Sequence, residues 1–318
     1  SSVLRYLTQI DATIDCLLRE PIKKLPNNPK MALRIGVAQM FILETPNHAA
    51  VDTSVDAASK KWRGLVNAIM RNISREESKY KKIFNSSPKI PKWLMERWRV
   101  NWPEDYPNFI KSIQDVHPHI DIAVKKNIKH WQIKLNAEIL PDNALRINDP
   151  GLVSQKAGYN DGEWWVQDYS SQIPIKVFSV KKDEEILDLC AAPGGKTAQM
   201  LTLGARVLSI DKNKNRIKKF NENMKRLKFD ANIIEADILD YSTKKKWNKI
   251  LLDAPCSSTG TIRKNPDILY SHSEKSINNL SKLQKNLIEK SWSMLNKNGF
   301  LMYCNCSLEP EEGEKIID

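Results

Sequence analysis

The chain has 318 residues, 41% of them hydrophobic and 28% charged. This length and balance fit two or more globular domains and exclude a disordered chain, and no apolar stretch is long enough to span a membrane. The formal charge of +12 points towards a polyanion such as nucleic acid, although lysine-rich solvated faces would give the same sum.

Residues 1–77 read as all-helical. Leu4, Leu7, Ile10, Ile14, Leu17 and Leu18 form a stripe at helical spacing. A second helix is predicted from Asn28-Pro29 with Leu33, Val37, Met40 and Phe41 on its apolar face, a third from about Ala49, and a fourth over Trp62–Ile73. Residues 78–165 read as a lysine-rich linker with a short helix at Pro91–Trp98, followed by a small α+β insert. Strands are predicted at 121–125 and 144–147, with a helix over 128–135 between them. The tryptophans of the linker are more simply packing groups than base-stacking ones. Residues 166–318 alternate strands and helices. Strands at 186–190, 206–210, 231–235, 249–253 and 300–304, with helices near 213–227 and 274–295, predict a doubly wound parallel sheet.

The third segment is organised around Ile186-Leu-Asp-Leu-Cys-Ala-Ala-Pro-Gly-Gly-Lys-Thr197. An apolar strand, a tight turn of small residues and the start of a helix make the opening unit of a nucleotide-type α/β fold. Gly194 and Gly195 lack a Cβ, so the backbone there can bend sharply and approach a ligand. Ligands of such sheets sit outside the carboxyl ends of the strands. Asp211 ends the second strand, where an acid can hold ribose hydroxyls or cap the next helix. Asp237 follows the third, where an acid can accept from an adenine amino group. The fourth ends in Asp253-Ala-Pro-Cys256 and the fifth in Cys304-Asn-Cys306. Cys304 reads as a small core residue and Cys306 as lying over the site. Two cysteines from adjacent strands beside an acid suggest thiol chemistry. The five cysteines contain no Cys-x-x-Cys pair, so no metal site is expected. An odd number of them, with a start that lacks the signal-peptide pattern, suggests a reducing cytoplasm.

Taken together, Leu189-Cys-Ala-Ala-Pro-Gly-Gly-Lys-Thr197, Asp211, Asp237, Asp253-Ala-Pro-Cys256 and Asn305-Cys-Ser307 resemble the RNA 5-methylcytosine methyltransferases, and Gly260–Asp267 matches the segment after their Pro-Cys motif. The stretches Leu33–Gln39, Pro46–Val51 and Arg63–Arg71 resemble the helical RNA-binding domain of the NusB type. The resemblance implies an α/β, Rossmann-like methyltransferase sheet preceded by an all-α NusB-like domain and the small α+β insert. It implies S-adenosyl-L-methionine (AdoMet) as cofactor, held by Cys190, Ala191, Ala192, Pro193, Gly194, Gly195, Lys196, Asp211, Asp237 and Asp253. Cys306 would be the nucleophile and Cys256 would assist product release. Asp253 would hydrogen-bond the cytosine edge, and Lys196 would lie near the methionine end of the cofactor. The implied partner is RNA, 16S rRNA or the precursor of the small ribosomal subunit, and the implied enzyme is a cytoplasmic monomer. Asn305 stands where that family usually has Thr, and the end at Asp318 falls short of the last strands of a typical methyltransferase sheet. Two other readings compete. An AdoMet enzyme acting on an exocyclic amine would want an aromatic residue where Cys256 stands. A non-catalytic RNA-binding factor would not need the two thiols.

Overall fold

In the computed structural model, which describes residues 2–113, 119–149 and 151–317, the chain forms two units. One takes residues 1–116 and 261–273, the other 117–260 and 274–318.

The first unit is helical because its apolar residues recur every three to four positions. Its helices are α1 (Ser2–Arg5), α2 (Leu7–Asp15), α3 (Asn27–Phe41), α4 (Asn47–Ala57), α5 (Arg63–Arg75), α6 (Glu77–Ser86), α7 (Lys92–Asn101) and α8 (Tyr106–Ile113). Helices α3, α4 and α7 begin directly after Pro26, Pro46 and Pro91; a proline there fixes φ and gives up an N–H that has no helical partner anyway. The Leu4–Leu18 stripe is broken at Tyr6, whose backbone leaves the helical region. Ile10, Ile14, Leu33, Val37, Val66, Met70 and Ile73 form the centre of the core. Helix α6 is absent from the sequence reading, which gives this lysine-rich stretch to a linker. Its Tyr80 and Phe84 enter the same core, so the division expected at residue 77 falls at the first residue of a helix that belongs here. Trp98 is a core residue, edge-on to Phe109 at 5.5 Å.

The second unit contains two sheets. The smaller is antiparallel, in the order β2-β3-β1-β4, from β1 (Ile120–Val124), β2 (Glu138–Ile139), β3 (Leu145–Ile147) and β4 (Trp164–Val166), with α9 (Ile128–Leu135) after β1. β4 is an added strand: the boundary expected at 165–166 cuts it, although Trp164 and Trp165 pair with Val124 and Ala123. Helix α10 (Tyr169–Val177) leads to the larger sheet. That sheet is β5 (Glu185–Leu189), α11 (Gly195–Thr202), β6 (Arg206–Asp211), α12 (Lys214–Arg226), β7 (Asn232–Glu235), β8 (Trp247–Asp253), α14 (Glu274–Ser293), β9 (Leu295–Cys304) and the short α15 (Glu314–Ile317). Between β8 and α14 the chain leaves for the first unit, where α13 (Ile268–Ser271) lies. The order is β7-β6-β5-β8-β9, all parallel. Both faces are covered, which is why the strands read as continuous apolar runs. Leu187, Leu189, Ile250 and Leu252 pack with Leu287 of α14, while Ile186 and Leu251 pack with α10 and α11 through Ile175 and Met200. Helix α14 stops at Ser293, before the predicted Leu295, and regular pairing of β9 begins where Phe300 meets Lys249.

The turn after β5 needs left-handed backbone twice, at Cys190 (φ 60°) and Gly194 (φ 100°). A Cβ on Gly194 would lie 2.6 Å from Met224 Cε and 2.9 Å from Phe220 Cδ2 on α12. At Gly195 the nearest atom would be at 3.5 Å, an ordinary contact. Gly194→Ala is therefore expected to lower unfolding free energy by roughly 1–3 kcal/mol through backbone strain and overpacking, and Gly195→Ala to leave it within about 1 kcal/mol. Urea denaturation of the pair checks this; equal losses would show that the contact with α12 does not set the requirement.

Candidate active site and cofactor pocket

The strand order reverses between β5 and β8, so the connections after these strands diverge and leave a crevice at their carboxyl ends. Register delivers the side chains there. Leu189 is opposite Ile210 and Leu252, and Asp253 is opposite Cys304. Residues just beyond these positions therefore share one edge of the sheet.

On one side of the edge is a cavity of about 380 Å³ lined by Cys190, Asp211, Asp237, Ile238, Pro255 and Leu287, among others. Asp211 is buried, and its carboxylate accepts from the backbone N–H groups of Ala192 (3.2 Å) and Asn213 (2.9 Å) with Arg216 at 3.5 Å. Asp211 does not cap the next helix. Asn213 does, accepting from the N–H of Arg216. Asp237 accepts from Leu239 N and from Lys212 Nζ at 3.0 Å, and these two bonds hold its carboxyl below the usual range. Two carboxylates facing a cavity with apolar walls suit a nucleoside: one for ribose hydroxyls, one for an adenine amine, and Ile238, Pro255 and Leu287 for the flat base. Ala191, Ala192, Pro193, Gly194 and Gly195 form the loop behind and are not among the lining residues. Burial pushes the Cys190 thiol up to about 12, so it sits there as a neutral group.

On the other side are the thiols. Cys256 follows β8 and Cys306 follows β9, and their Sγ atoms are 3.4 Å apart. The Cys306 N–H points at Cys256 Sγ (3.4 Å), and Cys306 Sγ lies 3.3 Å from Ser258 Oγ. The hydrogen bond from Cys256, opposed by the protein packed around it and helped by Ser258, brings the Cys306 thiol down to about 7. The same bond and burial push Cys256 far above the usual thiol range. The bond between them thus favours the negative charge on Cys306 and keeps the proton on Cys256. Lys196, from the first turn of α11, reaches Asp253 Oδ2 at 2.7 Å. Burial works against its ammonium, but Asp253 outweighs this and keeps it charged. Cys304 is partly buried beside Asp253, 3.5 Å from Oδ1, and burial raises its thiol.

One feature escapes the sequence reading, and one departure noted in it has a place in the structure. Asp188, in the middle of β5, is buried and accepts from Thr197 Oγ1 at 2.6 Å; burial pushes it up to about 7. Its signal is an acid inside an apolar run. Asn305 is built into its loop. Its side chain donates to Glu312 O (2.6 Å) and accepts from Ser307 N (2.8 Å).

Such a sheet, with a carboxylate-lined cavity beside a pair of thiols at one strand edge, has the form of a methyltransferase of the AdoMet-dependent class. Residues 175–318 match the model of the 16S rRNA methyltransferase RsmB/F family, and residues 1–75 that of the NusB family. Ribosomal RNA small subunit methyltransferase B of Cronobacter sakazakii is 31% identical over 339 aligned positions, covering 99% of this chain and 78% of that protein; its Escherichia coli O127:H6 counterpart is 31% identical over 340. The crystal structure of PH0851 superposes with a TM-score of 0.83 at 26% identity, covering 99% of this chain and 77% of that one. A methyltransferase homolog from Pyrococcus horikoshii gives 0.61 at 26%, covering 70% and 75%. The chain belongs to the RsmB/F family. It is an AdoMet-dependent rRNA (cytosine-C5) methyltransferase, a helical NusB-like region followed by a Rossmann-like sheet. Among the described residues no helix is long and apolar enough to cross a membrane.

Two outcomes follow from this geometry. Asp211→Ala should weaken AdoMet binding roughly 10- to 150-fold, the loss of about 1.5–3 kcal/mol for a charged acceptor; unchanged affinity by calorimetry in a folded variant would remove Asp211 from the pocket. Alkylation of Cys306 should speed up with rising pH around a midpoint of about 7, because only the thiolate reacts. In Cys256→Ala that midpoint should climb towards the free thiol value of about 8.5, as followed by peptide mass spectrometry.

Proposed function

We propose that Cys306 is the nucleophile of a covalent C5-methylation cycle, that Cys256 assists release, and that the substrate is 16S rRNA or the small-subunit precursor in the cytoplasm. The observation that supports this most is the pair of sulfurs 3.4 Å apart at adjacent strand ends, beside the Lys196–Asp253 pair. C5 of cytosine is a poor carbon nucleophile. A thiolate adding at C6 makes C5 enamine-like, and the Cys306 thiolate is favoured at neutral pH by its neighbours. Asp253 hydrogen-bonds the cytosine edge near N3, and Lys196 balances its charge. AdoMet, when bound, supplies the electrophilic methyl group that the activated C5 takes. The C5 proton then passes to solvent at this exposed edge, its electron pair restores the 5,6 double bond, and the Cys306–C6 bond breaks with its pair on sulfur, returning a thiolate. Cys256, whose proton is strongly held, stands where its S–H can hydrogen-bond the departing sulfur and steady it as a thiolate. The target base has to leave its stack to reach such an edge.

Asp211, Asp237 and the apolar pocket wall hold the nucleoside part of the cofactor, and the loop Cys190–Lys196 lies along it. The helical unit and the surface lysines hold phosphates and set position on the RNA. The enzyme acts as a monomer. Amine methylation makes no use of two thiols, and an RNA-binding factor makes no use of either.

Denaturing gels with substrate RNA and AdoMet separate the roles. Cys306→Ala should abolish methylation and any slow-migrating adduct. Cys256→Ala should attack and methylate, then stall as a protein–RNA adduct. The reverse pattern would exchange the roles, and a methylating protein that gives no adduct from either variant, nor with 5-fluorocytosine RNA, would sink the thiol cycle.

A further inference from the structure

The loops that carry the two thiols are joined beneath the sulfurs by one carboxylate. Ser257 directly follows Cys256, and Ser307 directly follows Cys306. Glu312, with none of its surface exposed, sits under both. Its Oε1 accepts from the Ser257 N–H at 2.9 Å and from Gln284 Nε2 at 3.0 Å. Its Oε2 accepts from the Ser307 hydroxyl at 2.5 Å and from the Ser257 hydroxyl. The two hydroxyl oxygens are 2.9 Å apart. Gln284, fully buried on α14, also donates to Pro255 O at 2.8 Å. The backbone of Glu312 is held in turn: its carbonyl accepts from Tyr303 Oη at 2.7 Å and Asn305 Nδ2 at 2.6 Å.

We propose that Glu312 is a positioning residue for the methyl transfer, a carboxylate clamp that sets the separation and mutual hydrogen bonding of Cys256 and Cys306. Burial keeps it from touching substrate, so it acts through the two serines. Both hydroxyls and the backbone N–H it accepts belong to the residues next to the thiols, so a shift in the clamp is passed to the sulfurs with one residue of slack. Two further ties join the same loops, Gly260 N to Cys306 O and Leu308 N to Thr259 Oγ1, both 2.9 Å. They lie farther along the chains from Cys256 and keep the loops together as a whole. At the sulfurs themselves the loops meet only through the long contacts of Cys306 N with Cys256 Sγ (3.4 Å) and of Cys306 Sγ with Ser258 Oγ (3.3 Å), and the clamp is the short, charged tie directly beneath them, where an ångström decides whether one sulfur hydrogen-bonds the other. Burying a carboxylate is costly without partners, and here four donors converge on it, three of them from the residues after the thiols. A purely structural acid could have been anchored by any neighbour.

The inference rests on the thiol assignment above, so its test includes readouts that need no RNA chemistry. The full chain is compared as wild type, Glu312→Ala and Glu312→Gln. In Glu312→Ala, AdoMet affinity should stay within about twofold, because the pocket residues lie on other loops. The turnover should fall by about 100-fold, the usual effect of misplacing reacting groups by an ångström, with little change in KM for RNA. The pH midpoint of Cys306 alkylation should rise towards that of a free thiol, since the bond from Cys256 is loosened. Glu312→Gln keeps the acceptor for Ser257 N–H and Gln284 and should restore most of both properties. If Glu312→Ala does not bind AdoMet, and so is not folded, the Ser257→Ala/Ser307→Ala double variant replaces it; it removes the two hydroxyl donors and should raise the midpoint and lower turnover at least about tenfold. A folded Glu312→Ala that only melts earlier, with wild-type turnover and midpoint, overturns the clamp, as does an unaltered midpoint and turnover in the double variant. Failure of the thiol assignment is visible separately, as an adduct or methylation surviving in Cys306→Ala.

Discussion

The site depends on the parallel pairing of β8 with β9. Cys256 and Cys306 are separated by 50 residues along the chain, yet their sulfurs come within 3.4 Å. The pairing of Asp253 with Cys304 makes this possible, because a parallel register carries the residues beyond two strand ends to the same edge at the same height. A slip of one residue would turn the side chains beyond it to the opposite face. The register is held by side chains buried on both faces, Leu251 on one and Ile250 and Leu252 on the other. The chemistry of the edge therefore rests on apolar packing in the middle of the sheet.

Charge at the edge is arranged in compensated pairs. Lys196 and Asp253 are 2.7 Å apart, and the lysine keeps its proton despite burial. Asp188, inside its strand, has a single hydroxyl donor in Thr197, and burial pushes its carboxyl up to about 7. Asp211 is equally buried but collects two backbone N–H groups and Arg216. Three acids of one sheet thus have different environments, and the number of donors around each follows from where its strand ends. The acid that ends its strand meets loop N–H groups, whereas the one inside its strand does not.

The sequence made the parallel sheet legible because each strand is an apolar run closed by a polar residue, and the chemistry stands just after those closures. Asp211, Asp237, Asp253, Cys256 and Cys306 could all be placed by that rule. What it could not show was register, and hence that the two sulfurs touch. It also could not show that Gly194 answers to Phe220 and Met224 of α12 rather than to a ligand alone. Helix α6 was hidden by composition. Its lysines face water, and only Tyr80 and Phe84 report that it is packed. Strand β4 is three residues long, too short for an alternating pattern, and exists through pairing with β1. Glu312 was invisible for a further reason: in Glu-Pro-Glu-Glu-Gly it looks like any solvated acid, and only tertiary packing distinguishes it from Glu311 beside it.

The path of the chain ties the helical unit to the cysteine loop in a way that domain boundaries drawn on sequence conceal. Gly260 is held by Cys306, its N–H on that residue's carbonyl, and belongs to the catalytic unit. From Thr261 to Ser273 the chain belongs to the helical unit. There Arg5 donates to Arg263 O at 2.7 Å and to Ile113 O at 2.8 Å, and the Thr8 and Tyr270 hydroxyls are 3.3 Å apart. Arg5 is almost fully buried, so these carbonyls satisfy a charge that has left water, and the segment is fixed rather than draped. The chain therefore passes between the units at 116–117, 260–261 and 273–274. Two of these passages flank a segment anchored at one end within four residues of Cys256 and at the other by the first helices of the chain. The anchored segment of the helical unit is thereby continuous in the chain with the loop that carries Cys256.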